Sequence, residues 1–299
     1  MTLFQTPNEV DGSKPNLLQT FEEVTVAKPT EEDQRLWSVT TIISVLDKPA
    51  LIWWSAEETA KAAIAIRRSI AQRVEEEGEE SVIDWLQRAR FRRPRGQRTA
   101  AELGTAFHEV AEHIAIYGKR PPNIDAELVP FVNQLEDWLA RAQPTFEAAE
   151  MPLYSTNFSH AGTMDGIMVL DGLRCCLDWK TSRKSFDKKQ KKTGPYPEVA
   201  LQLAAYRHSE WAVPVPPRRW SQHGRRYYLF GDVERDNAIT MPETDAGIVV
   251  HVTPEHCDGY FVNCDESIYE RFLFILEAAK FPFEIAKTVI GDELEFEEV

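Results

Sequence analysis

Between about residues 55 and 142 the hydrophobic residues of this chain read as a series of helices, and beyond that they shift to short, strand-like runs. Ser55-Ala-Glu-Glu58 has the form of a capping box and opens a predicted helix running to about Glu77, where Gly78 stops it. A second helix with an acidic tip is predicted over residues 80–90. Thr99-Ala-Ala-Glu102 repeats the capping box and starts a helix ending near Gly118, with Phe107, Val110, Ala111 and Ile114 as its core stripe and His108 to one side. Residues 125–142 read as a further helix that buries Leu128, Phe131, Leu135, Trp138 and Leu139.

The strand-like runs follow at residues 146–154, 163–170 and 173–181, the last two joined by a turn at Asp171-Gly172. Residues 197–211 are predicted as a helix, 225–231 and 247–253 as further strands, and 266–280 as a closing helix. The run from Ser38 through Val39-Thr-Thr-Ile-Ile-Ser-Val-Leu46 fits either a strand or the start of a short helix, ended by Lys48-Pro49. Helices, then strands, a helix and more strands predict an α/β sandwich around a central sheet. The expected organisation is an extended N-terminal arm (1–37, with Pro7, Gly12, Pro15 and Pro29), one domain over 38–283 that includes a helical and arginine-rich segment at 55–98, and an acidic tail over 284–299.

Composition narrows the class. With 299 residues, 43% hydrophobic and 27% charged, the chain has the make-up of a globular protein with ample core. No apolar run approaches the roughly 18 residues that span a bilayer, and the polar start lacks the regions of a signal peptide. The expectation is a cytoplasmic protein, in the host cytoplasm if phage-encoded, without a membrane partner. Four cysteines, Cys175, Cys176, Cys257 and Cys264, form no CxxC pair, and adjacent strand residues face opposite sides, so reduced thiols are expected. The net charge of −14 argues at first against a nucleic-acid partner, but Glu75–Glu80 and the 284–299 tail together hold −10 of it. Local basic clusters can therefore set the field elsewhere.

The candidate chemistry centres on Gly162-Thr-Met-Asp165-Gly and Leu177-Asp178-Trp179-Lys180. Asp178 and Lys180, two apart on a strand, share a face, and the Asp171-Gly172 turn brings Asp165 towards Asp178. Two carboxylates can hold a hard divalent cation, and an adjacent ammonium can orient water or offset charge on a phosphate. Strand-end charges also occur on plain solvated edges. Gln202 and Tyr206, four apart on a helix, aim an amide and a phenol at one place, which suits phosphate or base contacts and equally a surface amide beside a snorkelling tyrosine. His108 added to two carboxylates and a carbonyl would make a Mg²⁺ or Mn²⁺ site. Glu150, at a strand end, is expected to be a solvated acid, with a reach to the metal through water as the alternative.

Gly-Thr-x-x-His (Gly104 to His108), Gly-x-x-Asp (Gly162 to Asp165), Asp-x-Lys (Asp178 to Lys180) and Gln-x-x-x-Tyr (Gln202 to Tyr206), in that order, resemble the motifs of the RecB-like branch of PD-(D/E)XK nucleases. The resemblance covers residues 100–210. It implies a restriction-endonuclease-like central mixed sheet with helices on both sides. It further implies His108, Asp165, Asp178 and the Trp179 backbone carbonyl as ligands of Mg²⁺ or Mn²⁺, and Lys180 as the residue that activates or positions water. Gln202 and Tyr206 would hold the DNA backbone or orient Lys180. Met164 stands where the family name has proline, and the cysteines do not match the iron–sulfur relatives, so no iron–sulfur cluster is expected.

Basic segments fit a DNA path. Residues 88–98 carry six arginines and no acid, among them Arg92, Arg93, Arg95 and Arg98, and Lys180–Lys192 holds seven basic residues against Asp187. Arg218-Arg-Trp220 and Arg225-Arg-Tyr-Tyr228 interleave cations with aromatics, as single-strand binders do. The expected function is a divalent-metal-dependent DNA exonuclease of recombination, repair or phage DNA processing, acting on single strands or duplex ends, with a recombination protein as possible partner. The competing readings are an endonuclease or flap nuclease of the same fold, a catalytically silent DNA-binding or assembly module, and an interaction factor working through its acidic tail.

Overall fold

The computed structural model describes residues 34–88, 98–187, 189–214 and 227–291. Strand β1 (Gln34–Ser38) opens them and passes directly into helix α1 (Val39–Ile43), so the ambiguous run after Ser38 is a short helix. Residues 34–37, expected to be arm, are already strand. By backbone contacts, Leu46–Leu103 form one compact unit and the remaining described residues another.

The Leu46–Leu103 unit holds α2 (Pro49–Ile66), α3 (Ile70–Glu77) and α4 (Glu79–Gln87). The predicted start at Ser55 is wrong. Pro49 occupies the first turn of α2, where its missing N–H costs nothing. Ser55 lies inside the helix, its carbonyl accepting from the Thr59 hydroxyl at 3.0 Å. The expected single helix to Glu77 is two, because the chain turns at residues 67–69, with the Ser69 N–H on the Ile66 carbonyl at 2.8 Å. Gly78, with φ of 85°, ends α3 as predicted and leads into α4.

Helix α5 (Ala100–Tyr117) begins at the second predicted capping box, and here both reciprocal bonds form. The Thr99 N–H donates to Glu102 Oε2 at 2.7 Å and the Glu102 N–H to Thr99 Oγ1 at 3.2 Å. Phe107, Val110, Ala111 and Ile114 are its buried stripe, as the spacing predicts. Helix α6 (Val129–Ala142) buries Phe131, Val132, Leu135 and Trp138. Then come β2 (Thr145–Ser155), β3 (His160–Leu170), β4 (Leu173–Thr181), α7 (Val199–Arg207), β5 (Trp211–Ala212), β6 (Tyr227–Phe230), α8 (Asp232–Asn237), β7 (Ile239–Thr240), β8 (Ala246–Val252), β9 (Cys257–Val262) and α9 (Glu266–Lys280). Helix α7 is shorter than predicted, since Trp211 leaves it to pair with Tyr154.

Nine strands among the described residues share one sheet in the order β7-β5-β2-β3-β4-β8-β9, with β1 joined parallel to β3 and antiparallel to β6. It is mixed, because β4 and β8 run parallel while β2, β3 and β4 are antiparallel neighbours. Helices cover both faces. Gly247 lies under Leu203 of α7, whereas Gly259, paired with Val250, lies under Trp138 of α6, and positions 247 and 250 on one strand face opposite ways. Coverage on both sides explains why β3, β4 and β8 read as nearly continuous apolar runs. Leu177, Asp178 and Trp179 of β4 are all buried at its centre. The four cysteines are buried and free. Among the described residues no helix is long and apolar enough to cross a membrane.

Candidate active site

Strands β3 and β4 join through the two-residue turn read from the sequence, with φ of 50° at Asp171 and 79° at Gly172, so that Leu170 pairs with Leu173. The ladder runs from that turn to the pair Gly166 and Leu177 and stops there. The next residues outward are Asp165 and Asp178. Here a side chain takes over from the backbone, since Asp165 Oδ2 accepts the Trp179 N–H at 2.6 Å. The other oxygen, Oδ1, lies 3.2 Å from His108 Nδ1, and His108 Nε2 lies 3.0 Å from the Trp179 carbonyl oxygen. Helix α5 is thus tied to the end of β4 through one imidazole that spans a carboxylate and a main-chain carbonyl.

Strand β2 supplies a group the sequence reading placed in solvent. Ala149 pairs with Gly166 and Met151 with Met164, so Glu150 stands opposite Asp165. At Glu150 the backbone takes a φ of 46°, a left-handed conformation costly for a residue with a Cβ. One ligand atom each from His108, Glu150 and Asp165 lie within 4.8 Å of one another. Glu150 is therefore corrected from solvated acid to neighbour of Asp165. Burial first, and then the Asp165 charge, push its pKa up to about 8. In the sequence it showed only as one of two acids, with Glu147, in a largely apolar strand. What places it is its partner strand.

Charges in this cluster are set by one another. Burial, the largest influence on His108, disfavours its cation, but Asp165 and then Asp178 outweigh it and raise the imidazole to about 9. A doubly protonated ring donates from both nitrogens, which matches its two acceptors. Burial would raise Asp165, yet the His108 charge and hydrogen bond, with Lys180 and the Trp179 N–H, bring it below the ordinary carboxylate value. Two facing acids with displaced affinities, one up and one down, mark a place where added positive charge is favourable.

Asp178 and Lys180 form the second half. On β4 they face the side opposite the Trp179 ring, which packs near Phe146. Lys180 Nζ lies 2.7 Å from Asp178 Oδ1 and 2.6 Å from Oδ2, although Oδ2, fully buried, receives no well-directed hydrogen bond. Burial works against the Lys180 cation, but Asp178 and Asp165 hold its pKa above the usual lysine value. The side chain is an ammonium, a donor and a charge rather than a base. Its third contact is Gln202 Oε1 at 3.3 Å, and Gln202 Nε2 donates to the Tyr206 hydroxyl at 3.1 Å. Of the two roles implied for Gln202 and Tyr206, orienting Lys180 is the one this geometry favours, because Tyr206 is only 2% exposed. Gly162 makes room for it. A Cβ there would sit 2.6 Å from Tyr206 Cε1.

Of the expected ligands, His108, Asp165 and the Trp179 carbonyl meet directly, while Asp178 is held by Lys180 and Glu150 completes the three-donor cluster. The set fits a hard divalent cation. Its donors are oxygens and one imidazole, one atom each from His108, Glu150 and Asp165 lies within 4.8 Å of the others, and the buried Asp178 Oδ2 has an acceptor site to spare. Arg92, Arg93 and Arg95, together with the 218–226 cluster up to Arg226, lie outside the described residues, and Arg98 sits in the smaller unit near Glu102.

No protein-family model and no curated protein matches this chain. A solved structure titled "Crystal structure of SSO0001" is similar at a TM-score of 0.28 and 15% identity, over 64% of this chain and 78% of that one. A likeness that weak decides nothing about function.

Proposed function

We propose that this chain is a divalent-metal-dependent deoxyribonuclease of the RecB-like PD-(D/E)XK kind, built on a restriction-endonuclease-like sheet, and that it acts as an exonuclease in recombination, repair or phage DNA processing. The observation that carries the reading is the meeting of His108, Asp165 and the Trp179 carbonyl where β3 and β4 part, with Lys180 alongside on Asp178. Four short motifs far apart in sequence supply those groups and the Gln202–Tyr206 support, which a merely solvated strand edge does not require. Exonuclease action rests on the sequence resemblance.

His108, Asp165, Asp178 and the Trp179 carbonyl would hold Mg²⁺ or Mn²⁺, with Glu150 as an adjoining acid. Such an ion supplies Lewis-acid polarisation of a phosphate oxygen and a more acidic water. The protein's own groups do the rest. Lys180, kept charged by Asp178 and Asp165, donates to the attacking water or to the phosphate and offsets negative charge that builds up as the bond breaks. Gln202, backed by Tyr206, fixes the direction of that ammonium. Asp165 and the Trp179 N–H lock the spacing of β3 and β4, so the donors are set before substrate arrives.

The test uses end-labelled linear and circular DNA, single- and double-stranded, with Mg²⁺, Mn²⁺ or EDTA, beside Asp165→Ala. Metal-dependent release of short products from linear DNA, lost in the variant, is expected. Cleavage that persists in EDTA or in Asp165→Ala contradicts the metal-nuclease reading, and circles cut as fast as linear DNA contradict exonuclease action.

A further inference from the structure

Directly after Lys180 the chain builds a structure that the catalytic arrangement does not use. The Ser182 N–H bonds the Val252 carbonyl at 3.0 Å, and residues 189–193 then pair back onto residues 185–187. The Thr193 N–H donates to the Ser185 carbonyl at 2.9 Å, the Asp187 N–H to the Lys191 carbonyl at 2.8 Å, and Phe186 bridges Lys192. Asp187 Oδ1 accepts the backbone N–H groups of Lys189 and Lys191, at 2.7 and 2.9 Å, and so ties down the tip. The base is moored to the β8–β9 turn and the start of β9. His256 Nε2 lies 2.8 Å from the Ser185 carbonyl, and Lys192 Nζ reaches Asp258 at 3.1 Å.

This pre-shaped finger displays cations and rings together. Lys184, Lys189 and Lys191 are exposed, Phe186 is partly exposed beside His256, and Tyr196, just beyond the finger, is 67% exposed. Tyr260, from the edge strand β9, stands near Gly194 with its hydroxyl 4.0 Å from where a Cβ would be. In a chain of net charge −14, this is a local reversal of sign. Lysines alone would serve any phosphate backbone. Exposed aromatic rings interleaved with them gain contacts from unpaired bases, whose faces a duplex keeps stacked. The finger is also close to the chemistry, since four residues of chain, at most about 14 Å, separate Lys180 from Lys184.

We propose that residues 182–187 and 189–196 form a guide for single-stranded DNA, with Lys184, Lys189 and Lys191 on phosphates and Tyr196, seconded by Phe186, stacking on bases. The inference rests on the nuclease reading for the strand's destination at Lys180, but binding is measurable without cleavage. Fluorescence anisotropy in EDTA compares labelled oligo(dT) with a blunt duplex of equal length. Tyr196→Ala should weaken oligo(dT) binding about 5- to 100-fold and leave the duplex unchanged, whereas Tyr196→Phe keeps the ring and the affinity. Lys189→Ala with Lys191→Ala should flatten the slope of log affinity against log salt by about 1.4. Because these side chains are exposed, thermal melts should match the parent protein.

Tyr196→Ala binding oligo(dT) as tightly as the parent, or losing both DNAs by the same factor, overturns the guide. The two readings fail separately. Metal-dependent cleavage without Tyr196-dependent binding removes the guide and keeps the nuclease. Tyr196-dependent binding in a protein that cleaves no DNA with Mg²⁺ or Mn²⁺ removes the nuclease and keeps a single-strand-binding finger.

Discussion

Replacing Gly162 by alanine adds one methyl group to β3 at the point where Tyr206 of α7 lies across the strand. Gly162 is not among the glycines with positive φ, so its backbone accepts alanine and the conflict is purely steric. The new Cβ would stand 2.6 Å from Tyr206 Cε1, 3.1 Å from its hydroxyl and 3.2 Å from Cζ. Carbon atoms in contact prefer roughly 3.5–4.0 Å, so the ring must retreat by about 1 Å. Tyr206 is closely surrounded, and overpacking of this kind costs about 1–3 kcal/mol. The same movement shifts the hydroxyl that receives Gln202 Nε2, and through Gln202 the direction of Lys180. A misplacement of about 1 Å can cost about 100-fold in rate. Urea unfolding should show the stability loss in Gly162→Ala, and single-turnover cleavage of labelled DNA should show the rate loss. The cycle with Tyr206→Leu, which removes the obstructing ring, should give a double variant less destabilised than the sum of the singles by about 1 kcal/mol or more. Strict additivity, or a Gly162→Ala protein as stable as its parent, refutes the steric account.

Calorimetric titration with Mn²⁺ should show binding that Asp165→Asn abolishes and Glu150→Gln weakens by about 10- to 100-fold. Lys180→Met should retain Mn²⁺ binding while losing cleavage, which separates holding the ion from using it. Burial holds His160 down to about 3 in the folded chain, while an unfolded histidine titrates near 6.5. Between those values the unfolded state carries the extra proton, so stability contributed by neutral His160 is full above about pH 6.5 and is lost as pH falls, by about 1.4 kcal/mol per pH unit. Urea titrations at pH 7 and pH 5 should show this slope reduced by about one proton in His160→Phe; an unchanged slope counts against it. Thr99→Ala should cost about 0.5–2 kcal/mol by removing the N-cap of α5, and a melt within error of the parent argues against that capping bond.

What the sequence made legible was local. The Asp171-Gly172 turn carries its own conformational demand, and α9 covers the 266–280 that its pattern predicts. Thr99 and Glu102 close their box as their spacing requires, but Ser55 with Glu58 has the same spacing and caps nothing, because Pro49 had already begun the helix. A capping signature is a local preference, and an earlier start signal overrides it. Trp211 reads as helix by periodicity and becomes strand because Tyr154 offers it a backbone partner. Within the site, motif order pointed to His108, Asp165, Asp178, Lys180, Gln202 and Tyr206, and β4 with its neighbours brings them near one another. Glu150 was read as a solvated acid ahead of a water-mediated reach to the metal, because its position opposite Asp165 depends on the β2–β3 register and on a left-handed residue, neither of which its own segment announces.

In the proposed reaction, one arrangement of His108, Asp165, Asp178 and Lys180 breaks phosphodiester bonds with the help of a divalent cation. Single-turnover cleavage of end-labelled linear DNA, followed across a Mn²⁺ titration for the parent chain and for Asp165→Asn purified in parallel, tests it most directly. The expected result is a rate that rises from zero with Mn²⁺ and saturates in the parent, and no cleavage in the variant at any concentration. Equal cleavage by both proteins, or a parent protein that leaves every DNA intact at saturating Mn²⁺ and Mg²⁺, contradicts it.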